Sequence, residues 1–182
     1  EFFAAQGQLG YIQKLLDSLQ PSEVIFARDH KKDYELLFGD RYHTFTLDDW
    51  AFDYDFAYER LTRHFQTTSL KGFGIEDLSE GTIAAGCILY YLEETEHRQI
   101  EHISAISRLD EERFVWLDRF TIQSLELVYP QQQGGVPLID ILDQTITSMG
   151  GRMLRRWMVM PLKEEAPIHE RLNAVDVFCQ ET

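Results

Sequence analysis

The sequence predicts a layered α/β domain with a largely parallel sheet, followed by an α-helical segment. Three observations carry that prediction. Through about residue 65, short apolar or alternating runs take turns with helically spaced apolar residues, the pattern of strands joined by helices. A polar, charged stretch, Thr95 to His102 (TEHRQIEH), then breaks the pattern and reads as a domain edge. From Leu117 onward the apolar spacing is helical.

Each element follows from its residues. EFFAAQG at the start reads as a strand running into a turn. Leu9, Ile12, Leu15, Leu16 and Leu19 form a helical stripe, and Pro21 follows its end. Glu23–Ala27 (EVIFA) is a short apolar run suited to a buried strand. Asp29 to Asp33 is expected as a charged turn, and Tyr42 to Leu47 alternates as a strand does. Asp48 or Asp49 suits the cap of a short helical turn, and Phe56, Leu61 and Phe65 give the next helix its face. Gly72 and Gly74 mark a loop. Ser79 is the expected N-cap of a helix over residues 80–94, where Ala84, Ala85 and Gly86 permit close packing. ISAISRL and RFVWLD read as short extended pieces around Asp110, Glu111 and Glu112. Three short helices are expected in DRFTIQSLELV, VPLIDILDQT and MGGRMLRRWMVM, the last stopped by Pro161. A fourth begins near Pro167, with Ile168, Leu172, Val175 and Phe178 as its apolar stripe.

The bulk numbers restrict the function. The 182 residues are 44% hydrophobic and 13% aromatic, which is a folded, core-forming composition. No run of about 18 apolar residues occurs and no signal peptide opens the chain. The chain opens on Glu1 and closes while a helix face is still running, so it reads as a piece of a longer chain. Net charge is −14, with 10 basic against 20 acidic residues through residue 110 and 7 against 11 after it. Neither part has the clustered Lys and Arg that hold a phosphate backbone by charge alone. Cys87 and Cys179 follow no metal or redox spacing and read as reduced thiols.

No glycine-rich loop ends in Lys-Ser or Lys-Thr, and no Gly-x-Ser-x-Gly elbow occurs. Glu96, His97, Glu101 and His102 contain metal-ligating types, but histidines five apart lie on different sides of a helix, so a solvated linker is the better reading. Asp48-Asp49, Asp53/Asp55 and Glu93-Glu94 are the acidic pairs from which a two-metal nuclease site would be drawn. Such a site needs a carboxylate on the first strand, where Glu1 is the one acid. Arg152, Arg155 and Arg156 lie opposite Leu154, Trp157 and Met158, either as the wet side of an amphipathic helix or as a DNA or interdomain contact.

Three stretches carry a resemblance. Gly72 to Thr95 (GFGIEDLSEGTIAAGCILYYLEET), Trp116 to Leu127 (WLDRFTIQSLEL) and Pro137 to Leu162 (PLIDILDQTITSMGGRMLRRWMVMPL) are similar to motifs of the MutS family of bacterial DNA mismatch-recognition ATPases. The resemblance implies an α/β connector domain of ribonuclease-H-like fold over residues 1–102, incomplete at its N-terminal side and without nuclease function. It implies that residues 103–182 are a linker and the first helices of an α-helical core domain. It assigns no catalytic, cofactor or metal residue to this chain; ATP and Mg would be used at a site outside it. The implied partners are a MutL-type mismatch repair protein and, through the longer protein, mismatched duplex DNA. That protein would be a homodimer of the bacterial cytoplasm, acting at the nucleoid, with no membrane association.

Within that frame the third stretch reads as a shape-fixing joint. Thr147 or Ser148 caps a helix, Gly150 and Gly151 admit a close neighbour, Leu154, Trp157 and Met158 bury one face, and Pro161 redirects the chain. Trp157→Ala should cost about 3–5 kcal/mol if the ring is buried. The exposed side of the 80–94 helix, around Tyr90, Glu93 and Glu94, is a candidate partner surface, with an ordinary solvated helix as the alternative. Two other functions stay open at this point: a metal-dependent nuclease on the same fold, and a helical adaptor with an α/β head.

Overall fold

A computed structural model of the chain describes residues 2–95 and 100–180. It divides into two compact units, residues 1–8 with 21–109, and residues 9–20 with 110–182. The architecture is mixed α/β, and its sheets are smaller than one continuous layer.

The first unit contains two parallel strand pairs. β1 (Phe3–Ala4) pairs with β4 (Ser107–Arg108), and β2 (Glu23–Ala27) pairs with β3 (His43–Leu47) over five residues. The second pair is a βαβ crossover, because parallel neighbours need a connection that returns the chain to the same end. That connection corrects the expected charged turn. A 3-10 turn at Arg28–His30 runs directly into helix α2 (Lys31–Phe38). Tyr34 is the reason: it is buried, stacks on Phe26 at 4.3 Å and lies against Phe38 one turn on. Lys31 and Glu35 pair on the wet side at 3.8 Å.

The core of the unit is the crossing of α3 (Tyr54–His64) with α4 (Ser79–Glu94). Leu61, Leu70, Ile75 and Leu89 are completely buried there, with Ile100 and Ile106 closing one side. Asp53 caps α3, accepting from the Phe56 N–H at 2.9 Å. α4 is capped otherwise than expected. Ser79 is its first helical residue and donates to the neighbouring Glu80 carboxylate. The amide oxygen of Gln6 accepts from the Glu80 and Gly81 N–H groups at 3.0 and 3.4 Å, so the cap comes from a residue 74 positions away. Arg108 donates to both Asp77 carboxylate oxygens at 2.7 Å, fastening β4 beside the loop that precedes α4.

The second unit is helical: α1 (Leu9–Leu19), α5 (Arg119–Ser124), α6 (Leu138–Leu142), α7 (Ser148–Val159) and α8 (Glu165–Gln180). α1 packs with α5 and α7. Tyr11 and Leu15 are its buried residues, and Tyr11 meets Trp116 edge-on at 5.2 Å. Asp118 caps α5 through the Thr121 N–H at 2.7 Å. α5 and α6 are shorter than their sequence periodicity suggests. α8 forms where expected, yet its stripe is in water: Leu172, Val175 and Phe178 are 56%, 51% and 73% exposed.

Candidate functional site

The α7 region contains the first set of candidate residues. Thr147 is the cap, its hydroxyl accepting from the Gly150 N–H at 3.1 Å. The close neighbour of the glycine pair is the loop just before the helix. A Cβ at Gly150 would stand 3.3 Å from the Thr145 Cβ, and one at Gly151 would stand 3.2 Å from Asp143 Oδ2. Asp143 holds that loop by accepting from the Thr145 N–H and hydroxyl at 2.9 and 2.6 Å, which keeps its carboxyl below the usual range. Leu154, Trp157, Met158 and Pro161 are half-buried; Val159 and Met160 are the fully buried residues at the end of α7. The Trp157 ring is covered on one face by the Arg171 guanidinium at 4.2 Å. After the helix, Val115 donates to the Pro161 carbonyl at 2.7 Å and Lys163 to the Arg113 carbonyl at 3.1 Å. The extended piece RFVWLD thus receives the chain where Pro161 turns it, a pairing that separation in sequence concealed.

The three arginines differ. Arg152 is exposed. Arg155 lies over the Tyr129 ring at 5.1 Å and donates to its hydroxyl, which in turn donates to Gln20. Arg156 is half-buried. Arg155 therefore ties α7 to α1 through Tyr129. Beside Tyr129 lies a cavity of about 150 Å³, also lined by Asp17 and Arg119. That is below the roughly 300–1,000 Å³ of ordinary small-molecule pockets.

The second set lies on α3 and α4. Tyr90 is half-buried and Glu93 and Glu94 are exposed. Tyr90 belongs to an aromatic cluster with Trp50 and Phe56: ring centroids are 5.2 Å apart for Trp50–Tyr90, 5.2 Å for Trp50–Phe56 and 5.7 Å for Phe56–Tyr90. Arg60 lies over both Phe56 and Tyr90, at 5.0 and 4.9 Å, and its guanidinium pairs with Glu93. Burial, then the charge of Glu94, raises the Tyr90 phenol; Arg60 opposes and Asp48 adds to the rise. Trp50, the most exposed ring of the cluster, is absent from the sequence reading. A tryptophan directly after Asp48-Asp49 was the available signal.

The acidic pairs do separate jobs. Asp48 pairs with Arg28 at 2.9 Å, Asp53 caps α3, and Glu93 holds Arg60. Among the described residues, no group of three or more His, Cys, Asp or Glu side chains could hold a metal ion. Of the Glu96, His97, Glu101 and His102 set, Glu96 and His97 lie outside the described residues, as does Glu1; Glu101 and His102 are exposed. Cys87 is buried and Cys179 exposed. No described helix is long and apolar enough to cross a membrane.

The comparisons with known proteins converge. The family model described as MutS domain II matches residues 2–104, and that described as MutS domain III matches residues 120–182. A protein of Cytophaga hutchinsonii named DNA mismatch repair protein MutS is 58% identical over 178 residues, covering 98% of this chain. Proteins of the same name from Parabacteroides distasonis and Flavobacterium psychrophilum are 50% and 49% identical over 100% and 98% of it. The chain spans 21% of the length of each of these three curated relatives. With domain II matched over more than half of its residues and domain III over most of the remainder, the chain belongs to the MutS family of DNA mismatch repair proteins.

Proposed function

We propose that the chain is a non-catalytic connector and partial core segment of a mismatch-recognition ATPase, linking mismatched-DNA binding to the ATPase end and docking a MutL-type protein. Residues 1–102 form the connector, with a ribonuclease-H-like fold, and residues 103–182 form the linker and first core helices. Gly150, Gly151, Leu154, Trp157, Met158 and Pro161 act as the joint between them and the rest of the core. Arg152, Arg155 and Arg156 are the candidates for a DNA or interdomain contact, Arg155 from a position where it also meets Tyr129. ATP and Mg belong to the longer protein, a homodimer of the bacterial cytoplasm. No residue of this chain is assigned to either, because no phosphate-gripping loop occurs in it.

The observation that carries the docking reading is the α3–α4 surface. Trp, Tyr and Arg, the residue types that dominate interface energetics, are gathered there around Tyr90 and Glu93. The test is a calorimetric titration of the folded chain with the N-terminal ATPase domain of the cognate MutL-type protein, with an unrelated α/β domain as control. Saturable binding to the first alone is expected. A flat titration by a folded chain would remove the docking role and leave the mechanical one. Magnesium-dependent cleavage of DNA or RNA by the purified chain would overturn the non-catalytic reading in favour of the nuclease.

A further inference from the structure

Trp50 presents an anomaly of surface chemistry. It lies on the 3-10 turn Asp49–Phe52, 53% exposed, with two other rings packed edge-on against it. A tryptophan held by aromatic neighbours yet half in water offers a rigid apolar face at little further entropic cost. The charges around it are mostly negative. Asp48, Asp49, Glu93 and Glu94 are exposed on this side of the unit. The cations there are already committed: Arg60 to Glu93 and the two rings, Arg28 to Asp48. Asp29 and Asp49 face one another, the Asp29 N–H donating to Asp49 Oδ1 at 3.4 Å. Hydrogen bonding to Asp49, then its charge, pushes the Asp29 carboxyl above its usual range. His30 and Arg28 offset that rise only in part, and a guanidinium or ammonium brought between the two acids would relieve the rest of their repulsion.

We propose that Trp50, buttressed by Phe56 and Tyr90, anchors a partner-protein segment carrying an arginine or lysine beside an apolar side chain. The apolar group covers the indole and the cation meets Asp49 and Asp29. This rests on the docking reading above and deepens it by specifying the partner's chemistry: a basic face with one apolar projection. Charge complementarity of this kind speeds encounter and selects against acidic surfaces.

The test uses the same titration at low and at physiological salt, with Trp50→Ala, Asp49→Lys and, away from the cluster, Leu36→Ala on α2. Near-native denaturation midpoints qualify each variant. Trp50→Ala should weaken binding by about tenfold or more. Asp49→Lys should weaken it several-fold, most at low salt, and an Arg→Glu or Lys→Glu change on the partner's docking face should restore part of the loss. Leu36→Ala should bind as the parent chain does. If the parent chain saturates while Trp50→Ala binds equally well, or Asp49→Lys has no effect at low salt, this inference is overturned and the docking reading survives on another surface. If the parent chain never saturates, the docking reading fails and this inference fails with it.

Discussion

Gly86 on α4 lies directly on Ala57 of α3: a Cβ at position 86 would stand 2.5 Å from the Ala57 Cβ and 2.6 Å from its Cα. Both residues are buried, so the two backbones meet with nothing between them. This contact fixes how closely α3 and α4 approach, and with them Arg60 and Glu93 and the rings of Phe56 and Tyr90.

Gly86→Ala tests that contact. Alanine favours a helix interior over glycine by roughly 1 kcal/mol. The added methyl, however, meets backbone and Cβ atoms that no rotamer change can move, and overpacking of this kind costs about 1–3 kcal/mol or more. The clash should win, lowering the urea midpoint with little change in slope. Ala84→Gly on the exposed side of α4 should instead lose only the propensity term. A midpoint for Gly86→Ala equal to or above that of the parent chain would mean the helices separate freely.

Trp157 requires a smaller magnitude than its size suggests. A fully buried tryptophan would cost about 3–5 kcal/mol on truncation. Half-buried, with one face taken by Arg171, it should cost about 2 kcal/mol, from partial area burial and the cation–π contact together. Arg171→Ala should cost about 0.5–1 kcal/mol and cost less in the Trp157→Ala background than alone. Guanidinium denaturation of the two single variants and the double variant measures the coupling. Full additivity would deny that the two side chains interact.

The helices of the second unit were legible because their caps and stops flank them directly in sequence. Thr147, Gly150 and Pro161 mark α7 locally, and Asp118 marks α5. What sequence did not disclose depends on distant partners. Gln6 caps α4 across 74 positions, and RFVWLD receives the chain after Pro161. α2 was hidden because its charged residues outnumber Tyr34, which stacks on Phe26, and Phe38, which lies against Tyr34. At the candidate surface, Tyr90, Glu93 and Glu94 were legible as one helix face. Trp50 and Arg60 were not, since both join Tyr90 only after α3 and α4 cross.

The Arg108–Asp77 pair should appear in the acid limb of stability. Hydrogen bonding to Arg108 lowers the Asp77 carboxyl below its ordinary range. A carboxylate depressed in the folded state contributes stability above its unfolded pKa, and that contribution is lost as pH falls through the folded value. The loss should therefore fall below about pH 4. Asp77→Asn should reduce stability at pH 7 and narrow the difference between pH 7 and pH 3. Thermal unfolding at the two pH values decides it; an unchanged difference would mean the pair is too solvent-screened to matter.

The two thiols should separate cleanly under a soluble disulfide reagent. Cys179 is exposed on α8, whereas Cys87 is 2% exposed and directs its Sγ at the Ala51 carbonyl at 2.9 Å. Burial pushes the Cys87 thiol up to about 12, so at pH 8 it is neither reachable nor ionised, and the thiolate is the reacting form. One thiol should react at once at pH 8. The second should react at a rate set by opening of α4 away from Leu47 and Ala51, and denaturant below the unfolding midpoint should accelerate it. Alkaline pH acts in the same direction. A thiol whose pKa is raised by folding leaves stability intact below its unfolded value of about 8.5, and stability is lost as pH rises from there toward 12. Moving from pH 8 to pH 10 should therefore speed Cys87 labelling more than the ionisation of Cys179 accounts for. Because Cys87 packs with Leu47 and Ala51 just beneath the turn that presents Trp50, its labelling rate also reports whether Trp50→Ala disturbs the fold. Rapid modification of both thiols at pH 8 would show that α4 does not seal this part of the core.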